Sequence, residues 1–279
     1  MAEQKAQVII IGGGPAGVSA ALYLARAGVR TTIIENGPGA LARAHKIDNY
    51  YGIAASGARL YAAGLEQAEA LGVSIKQDEV LSVEYTDSFT LSLKTTAEQL
   101  SAPALILATG TKNITLNLPG LVQLEGKGIS YCAVCDGFFF RKKQVAVLGS
   151  GAYALHEADY LRHLAQSVTI LTNGQSGEAA QSAGFDVKTA KLVQLNGDSR
   201  LTGISFDDGS TLEVDGLFIA MGTADSTDIA RKLGAQTNGR FIKIDADGKT
   251  NIPGLFAAGD CTGGLLQVSK AVHEGAQAG

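Results

Sequence analysis

The chain begins its patterned part with a short unbroken apolar run, Val8-Ile9-Ile10-Ile11, rich in β-branched residues. Such a run, with no polar alternation, reads as a parallel strand buried on both faces. Glycines from Gly12 to Gly17 interrupt it. Val18 to Ala27 then carry Ala and Leu at helical spacing until Gly28, and Thr31 to Ile34 form a second strand closed by Glu35. Together these predict a βαβ unit. Ala104 to Ala108 read as another buried strand, ending in Thr109-Gly110. The opening pattern recurs about 137 residues on: strand Val145–Leu148, a glycine loop, a helix from about Ala152 to Leu164 and strand Val168–Leu171. Leu217–Met221 and Gly254–Ala258 are the last apolar strands, each ending at glycine, and Gln267–Ala278 is helix-like.

Two such openings predict an α/β fold with two Rossmann-like, doubly wound, three-layer nucleotide-binding-type domains, the second inserted in the first. Crossings are expected near Lys112–Gly120 and Thr237–Phe241. That makes residues 1–112 and 240–279 one domain and residues 113–239 the inserted one. No linker is rich in Pro, Ser or charge.

Composition narrows the class. With 46% apolar and 18% charged residues among 279, the chain can bury a sizeable core, which excludes global disorder. A net charge of -4 gives no electrostatic reason to expect nucleic acid or an anionic membrane. No run of eighteen apolar residues predicts a bilayer span. The N-terminus lacks an apolar targeting core, so a soluble cytoplasmic protein is expected. Three cysteines are too few for a secreted disulfide scaffold.

Gly12-x-Gly14-x-x-Gly17 lies between strand and helix, where the three glycines serve a tight turn, close approach to a pyrophosphate and close helix–strand packing. The helix N-terminus offers free N–H groups to phosphate. Glu35, 18 residues after Gly17, stands where a carboxylate would accept hydrogen bonds from an adenosine ribose. Cys132-Ala133-Val134-Cys135 is followed by Asp136. Two thiols at this spacing suit a redox disulfide, one sulfur nucleophilic and the other resolving. Asp136 is placed to exchange protons with a departing thiolate. Zinc is the competing reading. Only Cys261 remains as a further cysteine and the four histidines show no paired spacing, so no metal site is expected. Cys261 reads as a packing residue. Tyr50, Tyr51, Tyr131 and Tyr153 read as core or interface residues, with Tyr131, beside Cys132, the one to check. Glu157 reads as a helix surface acid.

These residues carry a resemblance. Ile11-Gly12-Gly13-Gly14-Pro15-Ala16-Gly17, Ala108-Thr109-Gly110, Ile129-Ser130-Tyr131-Cys132-Ala133-Val134-Cys135-Asp136-Gly137-Phe138-Phe139 and Gly254-Leu255-Phe256-Ala257-Ala258-Gly259-Asp260 together resemble the low-molecular-weight thioredoxin reductases over almost the whole chain. The resemblance implies an FAD domain and an inserted domain bearing the cysteine pair. It implies that Gly259 and Asp260 hold the ribityl–phosphate part of FAD, that Gln267 and Val268 meet the pyrimidine edge, and that Asn49 lies near the flavin. Val80 completes the expected cofactor-binding set with Gly12, Gly14, Pro15, Ala16, Gly17, Glu35, Ala108, Thr109 and Gly110. Cys135 would sit against the isoalloxazine, and Cys132 would attack thioredoxin. A homodimer is implied in the same way. Asp260 can also be a helix N-cap.

The sequence departs from NADPH-using relatives. The second loop, Gly149-Ser150-Gly151-Ala152-Tyr153-Ala154, survives in part, with Glu157 downstream. After the next strand comes Thr172-Asn173-Gly174-Gln175-Ser176, and no Arg or Lys occurs between His163 and Phe185. A doubly charged 2′-phosphate needs charge-assisted partners. The helix expected after Leu171 shrinks to about Gly177–Ala183, and Pro38-Gly39-Ala40-Leu41-Ala42 replaces the glycine–glutamine that usually follows the Glu35 strand. The chain stops at Gly279, within the expected last helix. These departures are most similar to the ferredoxin-dependent flavin thioredoxin reductases. Energetics permit that donor: electrons falling from roughly −400 mV to roughly −270 mV release about 6 kcal/mol per pair. Ferredoxins are acidic, and Arg141-Lys142-Lys143 is a candidate docking patch, although a solvated turn before the strand Val145–Leu148 is the simpler reading of it. The alternatives are an NAD(P)H-dependent disulfide reductase, a diflavin disulfide oxidoreductase and, outside enzymes, a flavin-binding redox sensor.

Overall fold

The computed structural model describes residues 6–86, 90–111 and 116–279. Lys112 and the three residues after it, where the first crossing was expected, lie outside the described residues. The chain divides into two units, Met1–Lys112 with Asp225–Gly279, and Asn113–Ala224.

The first unit opens with β1 (Val8–Ile11), α1 (Pro15–Arg26), β2 (Thr31–Glu35), α2 (Gly57–Ala70) and β3 (Ser74–Gln77). An antiparallel meander follows, β4 (Val80–Tyr85), β5 (Leu91–Thr95) and β6 (Gln99–Ala102), and then β7 (Ala104–Leu107). All four residues of β1 are buried, as a central parallel strand requires. Pro15 occupies the first turn of α1, where its missing N–H costs nothing, so the helix starts three residues before the apolar periodicity does.

The second unit contains α3 (Leu121–Leu124), β8 (Ile129–Ser130), α4 (Ala133–Asp136), β9 (Gln144–Leu148), α5 (Ala152–Arg162), β10 (Ser167–Leu171), α6 (Glu178–Ser182) and β11 (Asp186–Lys188). The antiparallel strands β12 (Leu192–Asn196), β13 (Gly203–Phe206) and β14 (Thr211–Glu213) and the parallel strand β15 (Gly216–Ile219) complete it. Its parallel sheet runs β11-β10-β9-β15-β8. Its core is built from Ile129, Leu148, Leu171, Ile204, Leu217 and their neighbours.

The chain then supplies α7 (Ser226–Lys232), the hairpin β16 (Thr237–Asn238) and β17 (Phe241–Ile242), β18 (Leu255–Ala257) and α8 (Val268–Ala278) to the first unit. Its parallel sheet runs β18-β7-β1-β2-β3. Two parallel sheets, each opened by a strand–glycine loop–helix, make this an α/β molecule with two nested Rossmann-like domains. The expected boundary at residue 240 differs from this division: residues 225–239 group with the first unit. The reason is local. Ser226 N donates to Thr109 Oγ1 at 2.8 Å, its hydroxyl lies 2.8 Å from the same atom, and α7 packs on β4 and β17.

The packing of α1 on α8 is close because both offer small residues. A Cβ at Gly275 would meet the Ala16 carbonyl oxygen at 2.1 Å, and one at Gly279 would meet that of Ala20 at 2.5 Å. Among the described residues no helix is long and apolar enough to cross a membrane.

Candidate active site

In the second unit Cys132 and Cys135 form a disulfide. Cys132 is the N-cap of α4, and its Sγ accepts the Cys135 N–H at 3.1 Å. Cys132 is 5% exposed, whereas Cys135 stands at the surface. Ser130, buried at the end of β8, holds the turn: its hydroxyl accepts the Cys132 N–H at 3.1 Å and donates to Asp136 Oδ2 at 2.6 Å. Asp136 therefore reaches the cysteine turn through Ser130. Glu157, expected on the helix surface, is only 2% exposed, and its carboxylate accepts the Ala133 N–H at 2.9 Å. It lies on the face of α5 that packs against α4. Tyr131 packs on the core of its unit and Tyr153 is wholly buried, whereas Tyr51 is 99% exposed and so lies outside the core.

In the first unit the glycines divide their work as the motif requires. A Cβ at Gly12 would lie 2.3 Å from the Ala108 carbonyl oxygen, and Gly12 has φ +112°. A Cβ at Gly17 would lie 1.9 Å from the Gly12 carbonyl oxygen, so helix and loop touch through it. A Cβ at Gly14 would meet nothing within 4 Å: here the backbone faces open space, as approach of a pyrophosphate demands. Pro15 and Ala16 open α1 behind it.

Glu35 ends β2, buried, and its Oε2 accepts the Gly37 N–H at 2.7 Å and the Tyr61 hydroxyl. Burial, and then that hydrogen bond, push the Tyr61 hydroxyl well above its usual range. Asp78 N donates to the Glu35 carbonyl at 3.0 Å, which brings Val80, at the start of β4, toward the same strand end. Thr109 and Gly110 follow β7 beside Ser226, Gly110 with φ +73°.

Asn49 and Gln267, 218 residues apart, are joined: Asn49 Nδ2 donates to Gln267 Oε1 at 2.9 Å. Val268 is the first residue of α8. Gly259, with φ +87°, is clamped by a network with no sequence signal beyond the i,i+4 spacing of Lys270 and Glu274. Its N–H donates to Glu274 at 2.8 Å and its carbonyl accepts Lys270 Nζ at 2.7 Å. Asp260 is not a helix N-cap. It begins a short 3-10 turn ending at Thr262, and Gln267 takes the N-cap position of α8. Burial raises the Asp260 carboxyl above the usual carboxylate range, with Lys270 opposing and Glu274 reinforcing. Cys261 is fully buried and its thiol is pushed up to about 12 by burial. The glycine loop, the strand-end acid and the clamped Gly259 turn together fit a flavin dinucleotide.

The two units can be compared residue by residue, because β1 and β9, the strands that lead into the two glycine loops, share a register with the strands that follow. Ile11 pairs with Ile34 and Leu148 with Leu171. Gly12 N donates to Ile34 O at 2.8 Å and Gly149 N to Leu171 O at 2.9 Å. The residue after that pair is Glu35 in the first unit and Thr172 in the second. Thr172 Oγ1 donates to the Gln175 carbonyl at 2.7 Å, and the neighbouring Asn173 accepts the Leu192 N–H at 3.0 Å. Lys188 and Lys191, which sequence order hid, line a pocket of about 530 Å³ with Gly174, Asp207 and Asp208. Lys188 is paired with Asp208 at 3.2 Å. Hydrogen bonds from Ser210, aided by Lys188, bring the Asp208 carboxyl down to about 2. Lys188 is thus matched by a carboxylate, and Asp207 accepts the Lys191 backbone N–H at 2.9 Å.

The model of the family described as pyridine nucleotide-disulphide oxidoreductase matches residues 6–275. The chain belongs to that family. Within it the chain is of thioredoxin reductase type, a flavoprotein disulfide oxidoreductase whose family implies FAD. It is 35% identical over 274 residues to the thioredoxin reductase of Streptomyces coelicolor, a match spanning 91% of this chain and 85% of that one. The atypical thioredoxin reductase of Desulfovibrio vulgaris Hildenborough has a structure similar at TM-score 0.92 and 42% identity, over 99% of this chain and 95% of that one. A ferredoxin-flavin thioredoxin reductase from Clostridium acetobutylicum is similar at TM-score 0.72 and 29% identity, over 98% and 95%.

Proposed function

We propose that the reductase passes electrons from reduced ferredoxin, through FAD and the Cys132–Cys135 disulfide, to thioredoxin, without a nicotinamide nucleotide. The observation that carries this reading is the register comparison. Where the first unit presents Glu35 for a ribose, the second presents Thr172, turned onto its own loop. Thr172 leaves no carboxylate in the place of Glu35, and Lys188, one of the two lysines nearby, is already paired with Asp208. The similarity to the clostridial ferredoxin-flavin enzyme points the same way.

In this reading the unit containing β1 and α8 is the FAD-binding domain. Gly12, Gly14, Pro15, Ala16 and Gly17 take the pyrophosphate, Glu35 the ribose, with Val80 beside that strand end. Ala108, Thr109, Gly110, Gly259 and Asp260 border the ribityl chain, and Asn49, Gln267 and Val268 the flavin edge. FAD, when bound, accepts electrons singly and delivers them in pairs. Once the disulfide is reduced, Cys132 attacks the thioredoxin disulfide and Cys135 resolves the mixed disulfide. Asp136, through Ser130, manages the proton of the Cys132 thiol. Because Cys132 is the covered partner in the oxidised turn, its attack requires the turn to loosen on reduction. A Cys135→Ser variant should trap thioredoxin covalently on Cys132. Trapping by Cys132→Ser instead would exchange the two roles. The working form is a cytoplasmic homodimer.

A second reading keeps a nucleotide or a second flavin in the second unit. It draws on the loop itself, where a Cβ at Gly149 would meet the Ala220 carbonyl oxygen at 2.3 Å and one at Gly151 only the Gly222 carbonyl oxygen at 3.7 Å, much as at Gly12 and Gly14. Anaerobic flavin absorbance separates the readings. Rapid bleaching by reduced ferredoxin alone, followed by thioredoxin reduction, is the expected result, and rapid bleaching by NADPH or NADH would overturn it.

A further inference from the structure

We propose that Glu157 is a positioning residue that sets the reducing power of the Cys132–Cys135 couple. The equivalent position in the first unit, 137 residues earlier, is Ala20, a fully buried core residue. At that place in the second unit the helix carries a carboxylate instead, 2% exposed and aimed at the first turn of α4. Burying a carboxylate is costly, so its position calls for a role.

The role follows from where the amides of the turn go. A cysteine at the start of a helical turn gains thiolate stability from the free N–H groups there, and a couple whose thiolate is well stabilised is oxidising. Of the N–H groups at this turn, Ser130 takes that of Cys132 at 3.1 Å, Glu157 takes that of Ala133 at 2.9 Å, and that of Cys135 goes to Sγ at 3.1 Å. Glu157 thus removes one donor from the sulfur's reach and adds a negative charge one residue away. Asp136, the other acid at the turn, is occupied with Ser130. Both effects of Glu157 disfavour the Cys132 thiolate, and hence the dithiol. The pair then gives up its electrons readily, which is what reduction of a partner disulfide needs.

The test is the equilibrium of the FAD-loaded protein with glutathione. Two glutathione thiols give two electrons and two protons to the Cys132–Cys135 bond, which opens to two thiols, while the two glutathione sulfurs join. Alkylation and mass spectrometry count the thiols in anaerobic buffers of graded composition. Glu157→Gln keeps an acceptor for Ala133 and removes the charge. Its equilibrium constant for reduction should rise about tenfold, equivalent to about 30 mV, with flavin content unchanged. A constant within twofold of wild type would overturn the proposal. Should E157Q fail to fold, Glu157→Asp, which retracts the carboxylate, should shift the constant at least threefold the same way, and no shift would be equally fatal. The proposal rests on the redox role of the disulfide and not on the electron donor. A protein inert to ferredoxin therefore leaves it standing, whereas a pair that never exchanges with glutathione sinks the redox reading itself.

Discussion

Cys261 shows how far burial alone governs a side chain's chemistry. It follows Asp260 in the 3-10 turn after β18, yet its sulfur is sealed against the Ala258 and Leu107 carbonyls at 3.3 and 3.5 Å. Its native value near 12, against an ordinary 9.0, means the folded state keeps a proton that the unfolded state sheds. The stability this provides is complete below pH 9 and is lost as pH rises from about 9 toward 12, at up to about 1.4 kcal/mol per pH unit. Tyr61 adds its own alkaline loss at higher pH. The measurement is therefore the difference in urea midpoints between wild type and Cys261→Ala over that range, and the variant should show the shallower fall. Reduced Cys132 and Cys135 should alkylate at pH 8 while Cys261 stays unmodified. Single residues were the least legible scale in the sequence. Glu35 could be placed because it ends a strand. Tyr61 could not, since nothing in the 25 intervening residues says that α2 folds back over that carboxylate. Glu157 was misread because an acid on a helix is usually solvated; only alignment with Ala20 reveals a core position.

At the level of elements, glycine punctuation made the two strand–loop–helix openings readable, and every strand that ends in glycine was found within a residue or two. The antiparallel pieces escaped. β4 to β6 and β12 to β14 mix polar and apolar residues around register shifts at Val80/Ser82 and Leu192/Gln194, so no clean alternation marks them. The first loop makes a paired prediction. Gly14→Ala should change stability by less than about 1 kcal/mol, since its Cβ meets open space, while flavin affinity falls at least tenfold. Gly17→Ala drives a methyl into the Gly12 carbonyl and should cost about 2–4 kcal/mol as well as flavin. Denaturant curves and retained flavin absorbance check both. If Gly14→Ala kept its flavin, the pyrophosphate would have to lie elsewhere.

For the molecule as a whole, the proposed association with ferredoxin is a matter of surface charge. Arg141, Lys142 and Lys143 are all exposed, and Arg141 lies over the exposed Phe138 ring at 5.5 Å. Reversing Arg141 and Lys143 to Glu should slow ferredoxin-driven flavin bleaching about tenfold at low salt and have little effect near 0.5 M, where screening is strong. Equal slowing at both salts would take the patch out of docking. Composition could not have located this surface, because the net charge is acidic and the patch is local. The close seating of α8 on α1 bears on a different matter, the order in which the molecule comes into being on the ribosome. The second unit is one continuous stretch, 113–224, and has all its strands before α8 is translated. The first unit waits for β18 to complete its sheet and for Gly275 and Gly279 to close over Ala16 and Ala20. The thiol-bearing unit can therefore fold during synthesis, while the N-terminal glycine loop, made first, waits for segments made more than two hundred residues later.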